Sequence, residues 1–182
     1  MIDRPPRRSI RSRFSHPRRR LASLALAAAT VVLAACATPD RLPAGTSRAE
    51  VIARFGSPLA VHALPGGGER FEYQIGPHQQ TAWMVDLDSE GRATGVRQVR
   101  TAENFARLKV GTDTPQVARR EFGTPWHVER YALSGLTAYL YPYRESGAWN
   151  LMMALHFDDA GVLRRVESGP DPRFIGGRDR ND

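Results

Sequence analysis

"GTDTPQVARREFGTP" (Gly111–Pro125) restates a phrase already used as "GTSRAEVIARFGSP" (Gly45–Pro58). Each reads as a helix with marked ends. In the first, Ser47 and Glu50 have capping-box spacing, so the hydroxyl serves one orphan N–H and the carboxylate another. In the second, Asp113 and Gln116 hold those places more loosely, while Thr114 before Pro115 offers an alternative N-cap with proline at the first helical position. Val51, Ile52 and Phe55 supply one apolar stripe, and Val117, Ala118 and Phe122 the other. Both phrases end Phe-Gly-x-Pro: a glycine that accepts the left-handed C′ conformation, then a proline that blocks continuation. The second has one extra residue, read as falling after Val117. Every position has a structural task, so the repetition points to duplicated architecture and away from catalysis.

The flanking sequence repeats as well. "WMVDLDSEGRATGV" (Trp83–Val96) aligns with "MALHFDDAGVLRRV" (Met153–Val166). Trp83, Val85 and Leu87 alternate with Met84 and Asp86, and Trp149, Leu151, Met153, Leu155 and Phe157 share one strand face. "DSEG" (Asp88–Gly91) and "DDAG" (Asp158–Gly161) supply hairpin turns whose glycine takes the positive φ. An earlier strand precedes each hairpin, at Glu69–Ile75 and Leu136–Tyr143, and Thr101–Gly111 reads as a short helix with Phe105 and Leu108 inward. The expected fold is α+β: two tandem helix(-helix)-three-strand units, residues 45–100 and 101–168, with antiparallel sheet because hairpins join the strands.

The N-terminus is of another kind. Eight arginines and Asp3 fall in residues 1–20, followed by the apolar run "LASLALAAATVVLAAC" ending at Cys36, the sole cysteine. A basic segment, a short apolar run and small residues before the cysteine read as a secretory signal over residues 1–35. "LAAC" (Leu33–Cys36) resembles the lipobox of bacterial lipoproteins, which implies diacylation of Cys36 as the new N-terminus. "RRRLAS" (Arg18–Ser23) is similar to a twin-arginine signal, from which Pro17 and Ala22 depart, so the export route stays open. Of 26 basic and 19 acidic residues, eight and one lie in the leader, leaving 18 of each. The mature chain is near neutral, and the basic surface that would suggest nucleic acid is absent from it. With no second cysteine there is no disulfide framework, so stability rests on the core. Residues 36–44 are expected to form a lipidated tether, and residues 169–182, rich in Gly, Pro and charge, a flexible tail.

"ENFARLKVGTDTPQVARREFGTP" (Glu103–Pro125), followed by an aromatic strand and a D-x-x-G hairpin, resembles the SmpA/OmlA (BamE-like) outer-membrane lipoprotein domain. That family's signature is L-x-x-G-x-[TS]-x-x-x-V-x-x-x-[LF]-G-x-P. Residues 101–168 match it well and 45–100 more weakly. Two tandem copies also resemble the β-lactamase-inhibitor-protein architecture. The resemblance implies an outer-membrane lipoprotein facing the periplasm that binds a protein partner, such as a barrel-assembly component, in outer-membrane protein assembly or envelope integrity. By analogy with enterobacterial sorting, Ala37 in place of aspartate implies transfer to the outer membrane. An alternative is a tethered inhibitor or regulator of a periplasmic enzyme.

Catalytic and metal chemistry find little support. His62, His78, His127 and His156 lack zinc-site spacing, and His127 and His156 read as surface residues. Asp158 and Asp159 sit where a turn needs acids, mirrored by Asp88 and Glu90. No G-x-S-x-G or P-loop is present, and "GGGER" (Gly66–Arg70) precedes a strand where phosphate cradling needs a helix. The expectation is a non-enzymatic protein without cofactor or metal. Tyr139, Tyr141 and Tyr143 alternate on the face opposite Leu136, Ala138 and Leu140, and Trp126 lies in the loop after the helix. These four are the candidate partner-binding residues, since such rings combine contact area with a polar handle; the alternative is that they cover a thin core.

Overall fold

The computed structural model describes residues 39–175. The signal segment 1–35, the acylation site Cys36, residues 37–38 of the tether and residues 176–182 of the tail lie outside the described residues. Chain order is helix α1 (Arg48–Phe55), strands β1 (Ala60–Ala63), β2 (Glu69–Ile75), β3 (Thr81–Leu87) and β4 (Ala93–Gln98), helices α2 (Ala102–Phe105) and α3 (Pro115–Phe122), then β5 (His127–Tyr131), β6 (Leu136–Glu145), β7 (Trp149–Phe157) and β8 (Leu163–Pro170). The strands form two four-stranded antiparallel sheets in the orders β1-β2-β3-β4 and β5-β6-β7-β8. The fold is therefore α+β, with four strands per sheet where three were expected. The extra strands, β1 and β5, are short edge strands; β5 is exposed at all five positions, so it carries no buried alternation to announce it. No helix among the described residues is long and apolar enough to cross a membrane, which says nothing of β-barrels.

Both helices that open the repeated phrases have eight residues. Ser47 caps α1 in a full capping box, its Oγ accepting from Glu50 N at 3.3 Å while Glu50 Oε2 accepts from Ser47 N at 2.9 Å. Thr114 caps α3, accepting from Val117 N at 3.4 Å, with Pro115 at the first helical position. The extra residue of the second phrase therefore lies in the loop before the cap, and not after Val117 as the sequence suggested. A loop absorbs an insertion at little cost, whereas an added helical residue would rotate the buried stripe.

The head of each phrase is tied to the last strand of its sheet. Gly45 N donates to Ala93 O at 2.7 Å and Ala93 N to Thr46 O at 2.8 Å; Gly111 N donates to Leu163 O and Leu163 N to Asp113 O, both at 2.8 Å. The acid-led turns also match. Asp88 Oδ1 accepts from Arg92 N at 2.9 Å and Asp158 Oδ1 from Val162 N at 2.8 Å, and each hairpin then carries a β-bulge.

Two apolar clusters follow. Val51 of α1 packs on Phe71, Tyr73, Val85 and Leu87 of the first sheet. Phe105, Ala118 and Phe122 pack on Tyr141, Tyr143, Met153, Leu155, Phe157 and Leu163 of the second, with the Phe105 and Phe122 rings stacked at 4.5 Å.

The other face of the first sheet is buried too, at a polar junction with the end of α3. Glu72, fully buried, accepts from Thr124 N at 2.7 Å, Thr124 Oγ1 at 3.2 Å, Gln74 Nε2 at 2.9 Å and His62 Nε2 at 3.2 Å. Arg70 pairs with Asp86 at 2.6 Å and donates to Arg120 O at 3.1 Å. Arg100, also fully buried, donates to Phe122 O at 3.1 Å, Thr124 O at 2.6 Å and Gln79 O. Orphan carbonyls at the end of α3 are thus capped by cations. Burial pushes the Arg100 pKa down to about 10, so it remains charged at neutral pH.

The expected tether and tail are packed where they are described. Pro39–Arg41 form a 3-10 turn with Pro39 buried, and Leu42 lies against the first cluster. Gly169 and Pro170 belong to β8, and a 3-10 turn follows at Pro172–Phe174. Buried Asp171 grips Arg173 at 2.6 Å, and its N–H donates to Asn150 O at 3.0 Å. An acid that leads a turn and an arginine that reaches back anchor residues whose composition alone suggests disorder.

Candidate functional site

In an antiparallel pair, opposed residues share a face. Tyr141 lies opposite Met153, Tyr139 opposite Leu155 and Tyr143 opposite Leu151, so the three tyrosines line the helix-covered face of the second sheet. Tyr141 and Tyr143 are 0% and 2% exposed and belong to the core, which removes them from the candidate binding set. Each ring offers more apolar area than Ala138 or Leu140, and that area goes to the covered side. Tyr143 shares a 2.7 Å hydrogen bond with Ser168, while the Tyr141 hydroxyl has no partner among the described residues and burial pushes its pKa up. Tyr139 is half-buried at the margin, edge-on to Phe157 and 5.2 Å beneath the Arg119 guanidinium.

Trp126 stays at the surface, 38% exposed. Its backbone N–H donates to the carbonyl of Leu140, the residue already paired with His127, at 2.8 Å. The Arg173 guanidinium stands 4.7 Å from its ring centroid and also donates to His78 O at 3.1 Å. His78 and Gln79 both adopt positive φ, 69° and 55°, and their carbonyls are taken by Arg173 and Arg100. Two cations thus hold a backbone turn that non-glycine residues rarely adopt.

The uncovered face of the second sheet is the candidate site. From the registers it presents His127, Glu129 and Tyr131 of β5, Leu136, Ala138 and Leu140 of β6, Ala154 and His156 of β7, and Arg165 and Glu167 of β8. His127, Glu129, Arg165 and Glu167 are exposed, Leu136, Leu140 and Ala154 half-buried, and Ala138 fully buried. Tyr131 is 39% exposed, and Leu133 in the following turn is fully exposed. His156, expected at the surface, is 4% exposed: its Nε2 lies 3.1 Å from Glu167 Oε2 and its ring 5.9 Å from that of Tyr131. Neighbours on a twisted sheet cover its centre, so outward direction did not mean exposure. Burial, and then the Arg165 charge, lower the His156 pKa. An apolar middle with charged margins has the chemistry of a protein-binding face.

Reading the sequence missed Tyr131 and Leu133 at this margin, since β5 carries no periodic signal. It also missed the Glu72–Arg100 junction, for which no local pattern exists. A separate cleft of about 490 Å³ lies where α2 and α3 meet the end of β4, with Val99, Leu108 and Phe122 among Arg97, Lys109 and Arg120. Among the described residues, no three His, Cys, Asp or Glu side chains are grouped to hold a metal ion.

No protein-family model and no curated protein matches the chain. Among solved structures, a DUF4309 family protein (YjgB) from Bacillus subtilis subsp. subtilis str. 168 aligns at 16% identity, covering 69% of this chain and 79% of that chain. The TM-score of 0.30 carries no inference about fold or function.

Proposed function

We propose that the chain is a lipid-anchored, non-enzymatic accessory of the outer membrane, facing the periplasm and acylated at Cys36. In this reading it consists of two tandem copies of a BamE-like helix-and-sheet unit, arranged as in β-lactamase-inhibitor protein. It binds a protein partner, such as a barrel-assembly component, through the uncovered face of the second sheet and the adjoining Trp126. The anchor is supported by the apolar run ending "LAAC". The tandem reading is supported by the paired ties of Gly45 to Ala93 and Gly111 to Leu163, with matching Asp88 and Asp158 turns. The observation that carries the binding role is the apolar strip of exposed Tyr131 and half-buried Leu136 and Leu140, beside exposed, charged Glu129, Arg165 and Glu167.

The test is a crosslinking pull-down from intact cells with the native chain as bait and partners identified by mass. Recovery of barrel-assembly subunits supports the reading. Recovery of one periplasmic enzyme, inhibited on titration with the chain, replaces it by a tethered inhibitor. The anchor is tested separately: Cys36→Ser must abolish palmitate labelling and membrane fractionation, and unchanged labelling contradicts acylation at Cys36.

A further inference from the structure

β5 ends the second sheet and is exposed on both faces over its whole length. The far edges, β4 and β8, are each capped at their first residue by backbone bonds from the loops before α1 and α3. β5 has neither a proline nor a lysine; its charged residues are Glu129 and Arg130, and Arg130 is paired with Asp159 of its own copy. Val128, within this strand, is 41% exposed.

A second copy could add its own β5 only about a two-fold axis normal to the sheet, since that operation alone sets two identical edges side by side and antiparallel. The rotation preserves faces, and opposed residues share a face, so the axis must fall at a residue and not between two. Few registers remain. An axis at Glu129 opposes two carboxylates, and one at Arg130 opposes two guanidiniums. An axis at His127 sets Pro125, which has no N–H, against Glu129 of the second copy. An axis at Tyr131 carries the ladder into the turn. An axis at Val128 opposes the two valines and sets each His127 against Glu129 of the second copy, while Trp126 and Arg130, which fall opposite each other, keep Arg173 and Asp159 of their own copy as partners.

From this self-complementarity we propose that the chain forms a symmetric dimer by antiparallel β5–β5 pairing centred on Val128. The two four-stranded sheets join into one of eight strands, and the uncovered faces lie side by side as one continuous surface. The pairing is independent of what that surface binds.

The test uses the full chain in intact cells, where Cys36 is otherwise the sole cysteine. Val128→Cys places two thiols across the axis, with Cβ atoms about 4.5–5.5 Å apart, and oxidation yields a disulfide-linked homodimer. Leu133→Cys, at a fully exposed turn position five residues from the axis, yields none, nor does the parent chain. Adding His127→Glu to Val128→Cys opposes carboxylates twice and weakens dimerisation about tenfold. Adding Glu129→Lys as well restores it, because each new glutamate then faces a new lysine. Failure of Val128→Cys to crosslink above the Leu133→Cys level overturns the proposal, as does a disulfide adduct with a different protein. Loss of dimer in His127→Glu without recovery in the double charge variant overturns the register.

Discussion

Gly123 lies so close to the buried carboxylate of Glu72 that a Cβ at this position would stand 2.5 Å from Oε1. The same glycine has φ 83°, as does its counterpart Gly56 at 81°, where nothing lies within 4 Å. The two stop glycines therefore differ in one respect. Gly56→Ala incurs backbone strain alone, about 1–3 kcal/mol. Gly123→Ala adds a clash with a carboxylate that Thr124, Gln74 and His62 hold in place, and costs more than Gly56→Ala by at least about 1 kcal/mol. Urea unfolding of both variants checks the order; equal losses contradict it.

Tyr141 and Tyr143 are buried neighbours on one strand face with opposite hydroxyl environments. Tyr143→Phe breaks the hydrogen bond with Ser168 and costs about 1 kcal/mol. Tyr141→Phe removes a buried hydroxyl with no partner among the described residues, and leaves stability unchanged or raised by up to about 1 kcal/mol. Denaturation midpoints of the two variants discriminate directly.

Arg100 joins the strand end to the α3 stop through the carbonyls of Phe122 and Thr124, and to the turn between β2 and β3 through that of Gln79. Arg100→Lys keeps the charge but cannot reproduce the planar fork, and costs about 2–3 kcal/mol. Arg100→Ala also leaves the carbonyls without their donor and removes a buried positive charge that interacts with Glu72, and costs about 3–5 kcal/mol. The check is calorimetry of both variants, with Arg100→Ala melting lower.

His156 gives the fold an acid-side sensitivity. Its folded pKa is depressed from the ordinary 6.5, first by burial and then by Arg165. The unfolded chain therefore binds more protons near this value, and the contribution is fully present above about pH 6.5 and lost as pH falls through the folded value. His156→Gln removes that dependence: its unfolding midpoint falls less than the parent's between about pH 7.5 and 5. A parallel decline in both proteins contradicts the assignment.

What was legible in the sequence was punctuation. Ser47 with Glu50 and the Asp88 and Asp158 turns announce themselves within a few residues and do the expected work. Gly56 and Gly123 end their helices at positive φ but with extended ψ, −173° and −165°, in place of the left-handed helical conformation. The facing of β6 was misread because both sides of that strand carry apolar residues. Leu136, Ala138 and Leu140 looked like the inner set, yet the pairing with Met153 and Leu155 gives the tyrosines to the core. Facing in such a strand is decided by its neighbours, so the β7 stripe was the stronger guide. β5 was missed because an edge strand exposed on both faces buries nothing periodic. The packing of Asp171 and Arg173 depends on Asn150, Trp126 and His78, all distant in sequence.

The central claim is that the uncovered face of the second sheet binds a protein partner. Photo-crosslinking residues placed singly at Leu140 and Glu167 report on that face, and one at Arg107 reports on the exposed helical side. In intact cells, adducts with one partner from Leu140 and Glu167, and none from Arg107, are the predicted result. Adducts from Arg107 alone, with neither sheet position captured, would contradict the account.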